Sequence, residues 1–342
     1  MNNIPRRARF RRAEEMADAF LIKLGITELP FYPLKALQQI GVKINTYGKI
    51  ANRLHCSYDE IAETFESADG YSSYNANTNK YAVAYNETRL PPERQRWTLA
   101  HELGHIVLGH FIEFDETRLT RAGLSNEEYR VLDQEADAFA SEVLAPGLVL
   151  FESGAYHDRD AIQDVCDISF TAAKYKAQYL SRIVAFTNTP NYMLLRKQFF
   201  DFMHTQYCPV CHALFVSKDA DYCPICGGIH HTWYNPNITI FEFLKDERGV
   251  IHHMIYPGSD FHNCPICDNE EISADDTYCK ICGATLLNVC INEECQANAD
   301  DNARYCVHCG APTTYLKQGI LEPWTKIADE NYSNNFSEEI PF

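Results

Sequence analysis

Apolar positions along the chain fall at helical spacing through much of the first 200 or so residues and thin out afterwards. Residues of about 11–24 and 33–40 read as helices, and about 42–86 as a small sheet whose last strand is Lys80-Tyr81-Ala82-Val83-Ala84-Tyr85-Asn86. Two stronger helical patterns follow. Residues 94–110 place Trp97, Leu99, Ala100, Leu103, Val107 and Leu108 on buried faces, with Pro91-Pro92 before them and Gly109 at the stop. Residues 125–144 open with Ser125 as N-cap and Glu128 completing a capping box, and carry Leu132, Phe139 and Val143 toward a core. Helical segments continue to about residue 204, and the aromatic stretch 188–206 packs back on this core or links it to the next part. Residues 238–243 and 250–255 flank Asp246-Glu247-Arg248-Gly249 and read as a β-hairpin.

The 342 residues and 46% apolar content suffice for at least one full core and suggest about two domains. No stretch reaches the roughly 20 apolar residues of a membrane span. The N-terminal arginines (Arg6, Arg7, Arg9, Arg11, Arg12) are not followed by an apolar run, so they do not read as a secretion signal, and a reducing cytoplasm is expected. Net charge is −17, and it is uneven: residues 204–342 hold seven Lys/Arg against twenty Asp/Glu, a balance of −13. A segment that acidic repels phosphate backbones and argues against general nucleic-acid binding.

Twelve of the 14 cysteines lie after residue 207, in one unit used three times. Cys208 and Cys211 precede Cys223 and Cys226; Cys264 and Cys267 precede Cys279 and Cys282; Cys290 and Cys295 precede Cys306 and Cys309. An aromatic stands before each second pair (Tyr222, Tyr278, Tyr305), and a glycine after it (Gly227, Gly283, Gly310). Two tight turns with two thiolates each put four sulfurs at the corners of a tetrahedron, the arrangement of a four-cysteine zinc ribbon. Redox use of the same motif needs a βαβ context that these short segments lack, whereas iron remains open as an alternative metal. The units are too small to fold on apolar burial alone, so the metal is expected to supply most of their stability. The charge of this region favours a protein partner over nucleic acid. Cys56 and Cys166 stand outside the repeats and read as buried free thiols.

The helix over 94–110 carries a second metal signature, His101-Glu102-Leu103-Gly104-His105. Two histidines four residues apart project from one helix face, and Glu102 beside them can reach a water on a shared ion. A catalytic zinc takes three protein ligands and keeps one position open. Leu108 and Phe111 exclude the pattern that supplies a third histidine from the same stretch of sequence, and His110 lies at or beyond the helix end. A carboxylate from the 125–144 helix remains: Glu135 first, since it falls on the side of Phe139, with Asp133 as the fallback and Asp137 in an indirect role.

Thr98-Leu99-Ala100-His101-Glu102-Leu103-Gly104-His105, followed by Gln134 to Pro146, resembles the ImmA/IrrE family of metallo-endopeptidases. The resemblance covers about residues 12–185 and includes the strand 80–86 and a helix-turn-helix-like segment at 167–175. It implies His101, His105 and Glu135 as ligands of one catalytic zinc, Glu102 as the catalytic carboxylate, and a regulatory protein such as a repressor as substrate. The three ribbons are not part of that family's common core.

The expected architecture is α+β. A zincin-like metallopeptidase domain with a small sheet spans 1–204, and ribbon 1 with its hairpin extension spans 205–262. Ribbons 2 and 3 span 263–285 and 286–313, and a flexible acidic tail spans 314–342. Zinc is expected four times, once catalytic and three times structural. A substrate strand is expected on the edge formed by residues 80–86, with Tyr85, His110 and Arg96 as candidates for stabilising the oxyanion. The competing expectations are a non-proteolytic zinc-binding adaptor and a DNA-associated regulator using residues 160–182 and the ribbons, which the Arg6–Arg12 arm favours and the −13 balance opposes.

Overall fold

A computed structural model describes residues 4–114, 125–186, 189–245, 253–258, 263–273 and 276–328. The chain divides into two compact units, 1–203 and 204–342.

The first unit is built on helices. α1 (Phe10–Leu24) and α2 (Pro33–Gln39) lead into β1 (Lys43–Thr46), then α3 (Tyr47–Leu54) and α4 (Tyr58–Phe65). β2 (Gly70–Asn75) and β3 (Lys80–Tyr85) complete a three-stranded sheet, and α5 (Pro92–Val107) and α6 (His110–Glu113) follow. α7 (Asn126–Leu144) leads to α8 (Gly147–Glu152), α9 (Arg159–Cys166), α10 (Phe170–Leu180), α11 (Pro190–Gln198) and α12 (Phe200–His204). The helices expected over 11–24 and 33–40 are α1 and α2; α3 and α4 interrupt the segment read as continuous sheet. Their stop signals are not glycines but His55 and Glu66, both in the left-handed conformation, which is why pattern alone passed over them.

The strand order is β1-β3-β2, with β1 parallel and β2 antiparallel to β3. β3 is therefore central, its Val83 opposite both Ile44 and Ser72. This corrects the expectation of a free edge at 80–86: the edges are β1 and β2, because the helical crossover from β1 returns the chain to form β2 outside β3.

α7 lies between α1 and α5, and the core sits at their crossings: Ala13, Ala17 and Leu21 of α1, Leu103 of α5, and Leu132, Phe139 and Val143 of α7 are all buried. Each large side chain removed from water there stabilises the fold by roughly 1.5–3 kcal/mol. Gly104 sets the α5–α7 spacing. A Cβ at that position would meet the Ala136 main chain at 3.1–3.2 Å, so any larger residue would push the helices apart by a few tenths of an ångström or more. At the C-terminal end of α7, the buried Glu142 carboxylate accepts a hydrogen bond from Gly147 N–H at 2.6 Å and pairs with Lys176 Nζ of α10 at 2.7 Å. That pair ties α8 and α10 to the same end of α7.

The second unit has little regular structure. β4 (Thr205–Tyr207), β5 (Leu214–Val216) and β6 (Thr232–Trp233) form an antiparallel sheet in the order β5-β4-β6 around the first cysteine set. Residues 239–244 form a 3-10 turn rather than the first strand of a hairpin. Phe241 and Leu244, three residues apart, are both buried there, a spacing that suits a helical turn and not an alternating strand. Of the rest of the expected hairpin, 246–252 lies outside the described residues, and within 253–255 Met254 makes an isolated parallel bridge to Ala213 rather than a strand paired with 238–243.

The segment after residue 313 is also ordered further than expected. α13 (Thr314–Lys317) buries Tyr315, and Trp324 and Ile327 pack on the apolar cluster of the first ribbon. Arg304 donates to the Glu322 carbonyl at 2.7 Å. Acidic composition concealed three apolar anchors; residues 329–342 lie outside the described part.

Candidate metal centres and active site

Helix α5 presents His101 and His105 on one face, and their Nε2 atoms lie 3.1 Å apart. Asp133 of α7 brings Oδ1 to 3.3 Å from His101 Nε2. With metal–nitrogen and metal–oxygen bonds of about 2.0–2.2 Å, ligand atoms on a tetrahedral ion stand about 3.3–3.5 Å apart, so these three donors fit one zinc-sized ion.

The other ring nitrogens are also engaged. Asp137 Oδ1 lies 2.8 Å from His101 Nδ1, so Nδ1–H donates to the carboxylate and Nε2 is turned toward His105 and Asp133. Burial alone would lower the His101 imidazole, but the Asp133 and Asp137 carboxylates outweigh it and raise it to about 10. Asp137 thus has the supporting place expected of it. His105 is fully enclosed, and burial followed by the His101 and His110 charges pushes its pKa well down, so it stays neutral. Its Nδ1 lies 2.9 Å from His110 Nδ1, and His110 Nε2 lies 3.2 Å from Glu135 Oε2.

Glu135 is the principal departure from the sequence reading. It is buried on the core side of α7, as expected, but on the far side of His110 from the paired imidazoles. Arg9 donates to its carboxylate from the main-chain N–H at 2.8 Å, from Nε at 2.8 Å and from a terminal nitrogen at 2.9 Å. Burial would raise this carboxyl, but the hydrogen bonds from His110 and Arg9 prevail and hold it at about 2. Glu135 is therefore placed behind the site, and Asp133 takes the position at its mouth. The physical reason is angular. Two residues along a helix rotate the side chain by about 200°, so Glu135 and Asp133 cannot both face α5 in the same way. Position relative to Phe139 showed which residue is buried, not which one reaches the imidazoles. The inward turn of Arg9, which satisfies the Glu135 charge, was not visible either: the arginine arm read as a solvated helix start. Here Arg9 and Arg12 pair with Glu113 and Glu135.

Glu102 follows His101 and is buried, with its carboxyl pushed up, first by burial and against the His101 charge and the Ser72 hydrogen bond. The Ser72 hydroxyl of β2 donates to it. Gly70, two residues earlier, lets β2 lie against α5, since a Cβ there would overlap the Thr98 side chain. Sequence reasoning did not find Ser72, because nothing in a strand pattern marks which inward residue meets a carboxylate.

These groups floor a cleft of about 210 Å³ whose walls include Gly70, Tyr71, Trp97 and Tyr129. Tyr85, His110 and Arg96, the expected oxyanion candidates, do not line it. Arg96 is used structurally, donating to the Phe31 and Cys166 carbonyls, and His110 is enclosed behind His105.

The twelve repeat cysteines gather as expected into three sets of four. Sulfur–sulfur contacts run at 3.6 Å for Cys208–Cys226, Cys211–Cys223, Cys264–Cys282 and Cys267–Cys279. They are 3.4 Å for Cys290–Cys309 and 3.7 Å for Cys295–Cys306. A disulfide needs about 2.05 Å, whereas four sulfurs at about 2.3 Å from a zinc stand about 3.8 Å apart, so the sets fit metal and not cross-links. Main-chain N–H groups point at sulfur as well, from Gly228 to Cys226 and from Asn292 to Cys290, both at 3.4 Å. Of the two remaining cysteines, Cys166 is buried with its thiol pushed up to about 12 by burial, which makes it unreactive; Cys56 is partly buried.

Comparison with known families agrees with the geometry of the first unit. Residues 61–178 match the Peptidase_M78 family model, described as the IrrE N-terminal-like domain. This segment is similar to the IrrE N-terminal-like domain. The match spans about a third of the chain, from within α4 to within α10, and contains His101, Glu102, His105, Asp133 and Glu135. The matched model is that of a peptidase family, and the match leaves the cysteine sets outside. No curated protein matches the chain. Among the described residues, no helix is long and apolar enough to cross a membrane.

Proposed function

We propose that the chain is a zinc-dependent endopeptidase that cuts a specific regulatory protein, with His101, His105 and Asp133 holding the catalytic ion. The observation that carries this reading is the convergence of two imidazole nitrogens and one carboxylate oxygen beside a buried Glu102, at the floor of a cleft bordered by an edge strand. The match to a peptidase family supports it.

Zinc bound at these donors supplies the Lewis acidity that polarises a scissile carbonyl and brings the pKa of a water from about 15.7 toward about 7. Glu102, beside the donors, would take the proton of the attacking water and pass it to the leaving amine, and burial, which raises its pKa, favours the proton-holding form that this transfer requires. Ser72 fixes the Glu102 rotamer, and Asp137 fixes the tautomer of His101. β2 offers a substrate backbone an exposed row of hydrogen-bonding groups on the side away from β3.

The three cysteine sets are read as structural zinc sites, giving four zinc ions per chain, and their acidic surroundings as a surface for a protein partner or the substrate. A repressor-like target and a cytoplasmic setting follow from the family resemblance and from the free thiols. The adaptor alternative does not account for a catalytic carboxylate kept buried beside the donors, and the DNA-binding alternative is disfavoured by the −13 balance of residues 204–342.

The test is cleavage of a peptide library by zinc-loaded protein and by Glu102→Gln. Cleavage should fall by about 10²–10⁴-fold in the variant while bound zinc is unchanged. Equal turnover by the two proteins would remove this mechanism.

A further inference from the structure

The first and third ribbons pack on each other through equivalent residues. Asp221 and Tyr222 donate their N–H groups to the Val307 carbonyl at 2.9 and 3.0 Å. Arg304 and Tyr305, which hold the same places in the third ribbon, donate to the Pro224 carbonyl at 2.8 and 2.9 Å. The side chains repeat the exchange. The Tyr305 ring lies 3.1 Å from where a Cβ on Gly227 would be, and the Tyr222 ring lies 2.6 Å from the Cβ position of Gly310. Each ribbon thus gives a tyrosine and two N–H groups and receives them on a carbonyl and a glycine. The contact is a local twofold between two copies of one motif, and it uses the aromatic before and the glycine after the second cysteine pair of both ribbons, glycines whose positive φ the turn itself also requires.

The second ribbon carries the same half-interface, and among the described residues nothing packs on it. Thr277 and Tyr278 stand where Asp221 and Tyr222 stand, Lys280 where Pro224 stands, and Gly283 where Gly227 stands. Tyr278 is 66% exposed, Lys280 and Gly283 are exposed, and the Cβ position of Gly283 has nothing within 4 Å. Among the described residues, no backbone hydrogen bond joins the Thr277 or Tyr278 N–H groups or the Lys280 carbonyl to another segment.

We propose that this face of the second ribbon, Thr277, Tyr278, Lys280 and Gly283, is a self-association site whose occupant is the second ribbon of another copy of the chain. A surface that pairs with its own repeat through a twofold inside one molecule is self-complementary, and an isologous dimer requires that property. The register brings the Lys280 main chain of one copy against residues 276–278 of the other, while its ammonium stays paired with Glu271 of its own copy at 2.5 Å. The patch is small, so association is weak and concentration-dependent. With −17 on each copy, it strengthens as salt screens the repulsion. Nothing in this inference depends on the peptidase reading.

The experiment is sedimentation velocity on the full, zinc-loaded chain, from about 5 to 500 µM and at about 0.1 and 0.5 M salt. The wild type should show a monomer–dimer equilibrium that shifts toward dimer at the higher salt. Tyr278→Ala, with unchanged zinc content by mass spectrometry, should weaken it at least about tenfold. Tyr175→Ala, an equally exposed tyrosine of the first unit, should leave it unchanged. In the wild type, the amide NMR signals of Thr277 and Tyr278 should move on dilution. A monomer throughout the range, or a dimer that Tyr278→Ala leaves intact, overturns the proposal.

Discussion

Two carboxylates two residues apart on α7 divide the labour at the candidate active site. Asp133 meets His101 at the cleft, while Glu135 is buried with Arg9 and His110. Their replacements should therefore fail differently. Asp133→Ala should lose one zinc per chain with little change in unfolding free energy of the metal-free protein, since its side chain is partly exposed. Glu135→Ala removes three Arg9 hydrogen bonds and leaves Arg9 with Glu113, and should cost about 1–3 kcal/mol in denaturant unfolding. Zinc titration and urea unfolding of the two variants separate the roles. The reverse pattern, zinc loss in Glu135→Ala alone, would restore Glu135 as the ligand. At this scale the sequence was legible where spacing on a single helix decides the outcome, as for His101, Glu102 and His105. It was not legible where the outcome depends on how two helices are rotated against each other, or on an arginine arriving from 126 residues away.

Among the elements, the α5–α7 crossing matters most, because it alone brings a carboxylate from one helix to imidazoles on another. Gly104 governs that distance. Gly104→Val should force the helices apart, destabilise the first unit by about 1–3 kcal/mol or more, and lower affinity for the catalytic zinc while leaving the ribbon sites full. Thermal unfolding and zinc competition would measure both effects; full zinc affinity in that variant would mean that the crossing does not set the site. The helices themselves were plain in the hydrophobic pattern, and the Ser125–Glu128 capping box forms as read. The strand order was not plain, since nothing in the alternation of 80–86 distinguishes a central strand from an edge. The ribbons were the most legible elements, because cysteine spacing specifies a metal site almost without reference to the rest of the chain. Their partners were less so: Tyr315, Trp324 and Ile327 sit in a stretch whose acidity reads as solvated tail.

At the scale of the whole molecule, one buried acid should shape stability against pH. Asp18 of α1 is 2% exposed, and its Oδ1 has no hydrogen-bond partner among the described residues. Burial first, and then the neighbouring Glu142, push its carboxyl up to about 8. An unfolded aspartate titrates near about 3.9, so between about pH 4 and pH 8 the folded protein holds a proton that the unfolded chain has released. Stability should fall as pH rises through that window, and Asp18→Asn should flatten the fall and gain on the order of a few kcal/mol at pH 8. Urea unfolding at several pH values checks the sign; an unchanged slope in the variant would place the effect elsewhere.

Metal content joins the two units in a single number. Native mass spectrometry of chelator-free protein, run beside Asp133→Ala, should find four zinc ions per wild-type chain and three in the variant. Three in the wild type, or four retained when Asp133 is gone, would contradict a catalytic ion held by His101, His105 and Asp133.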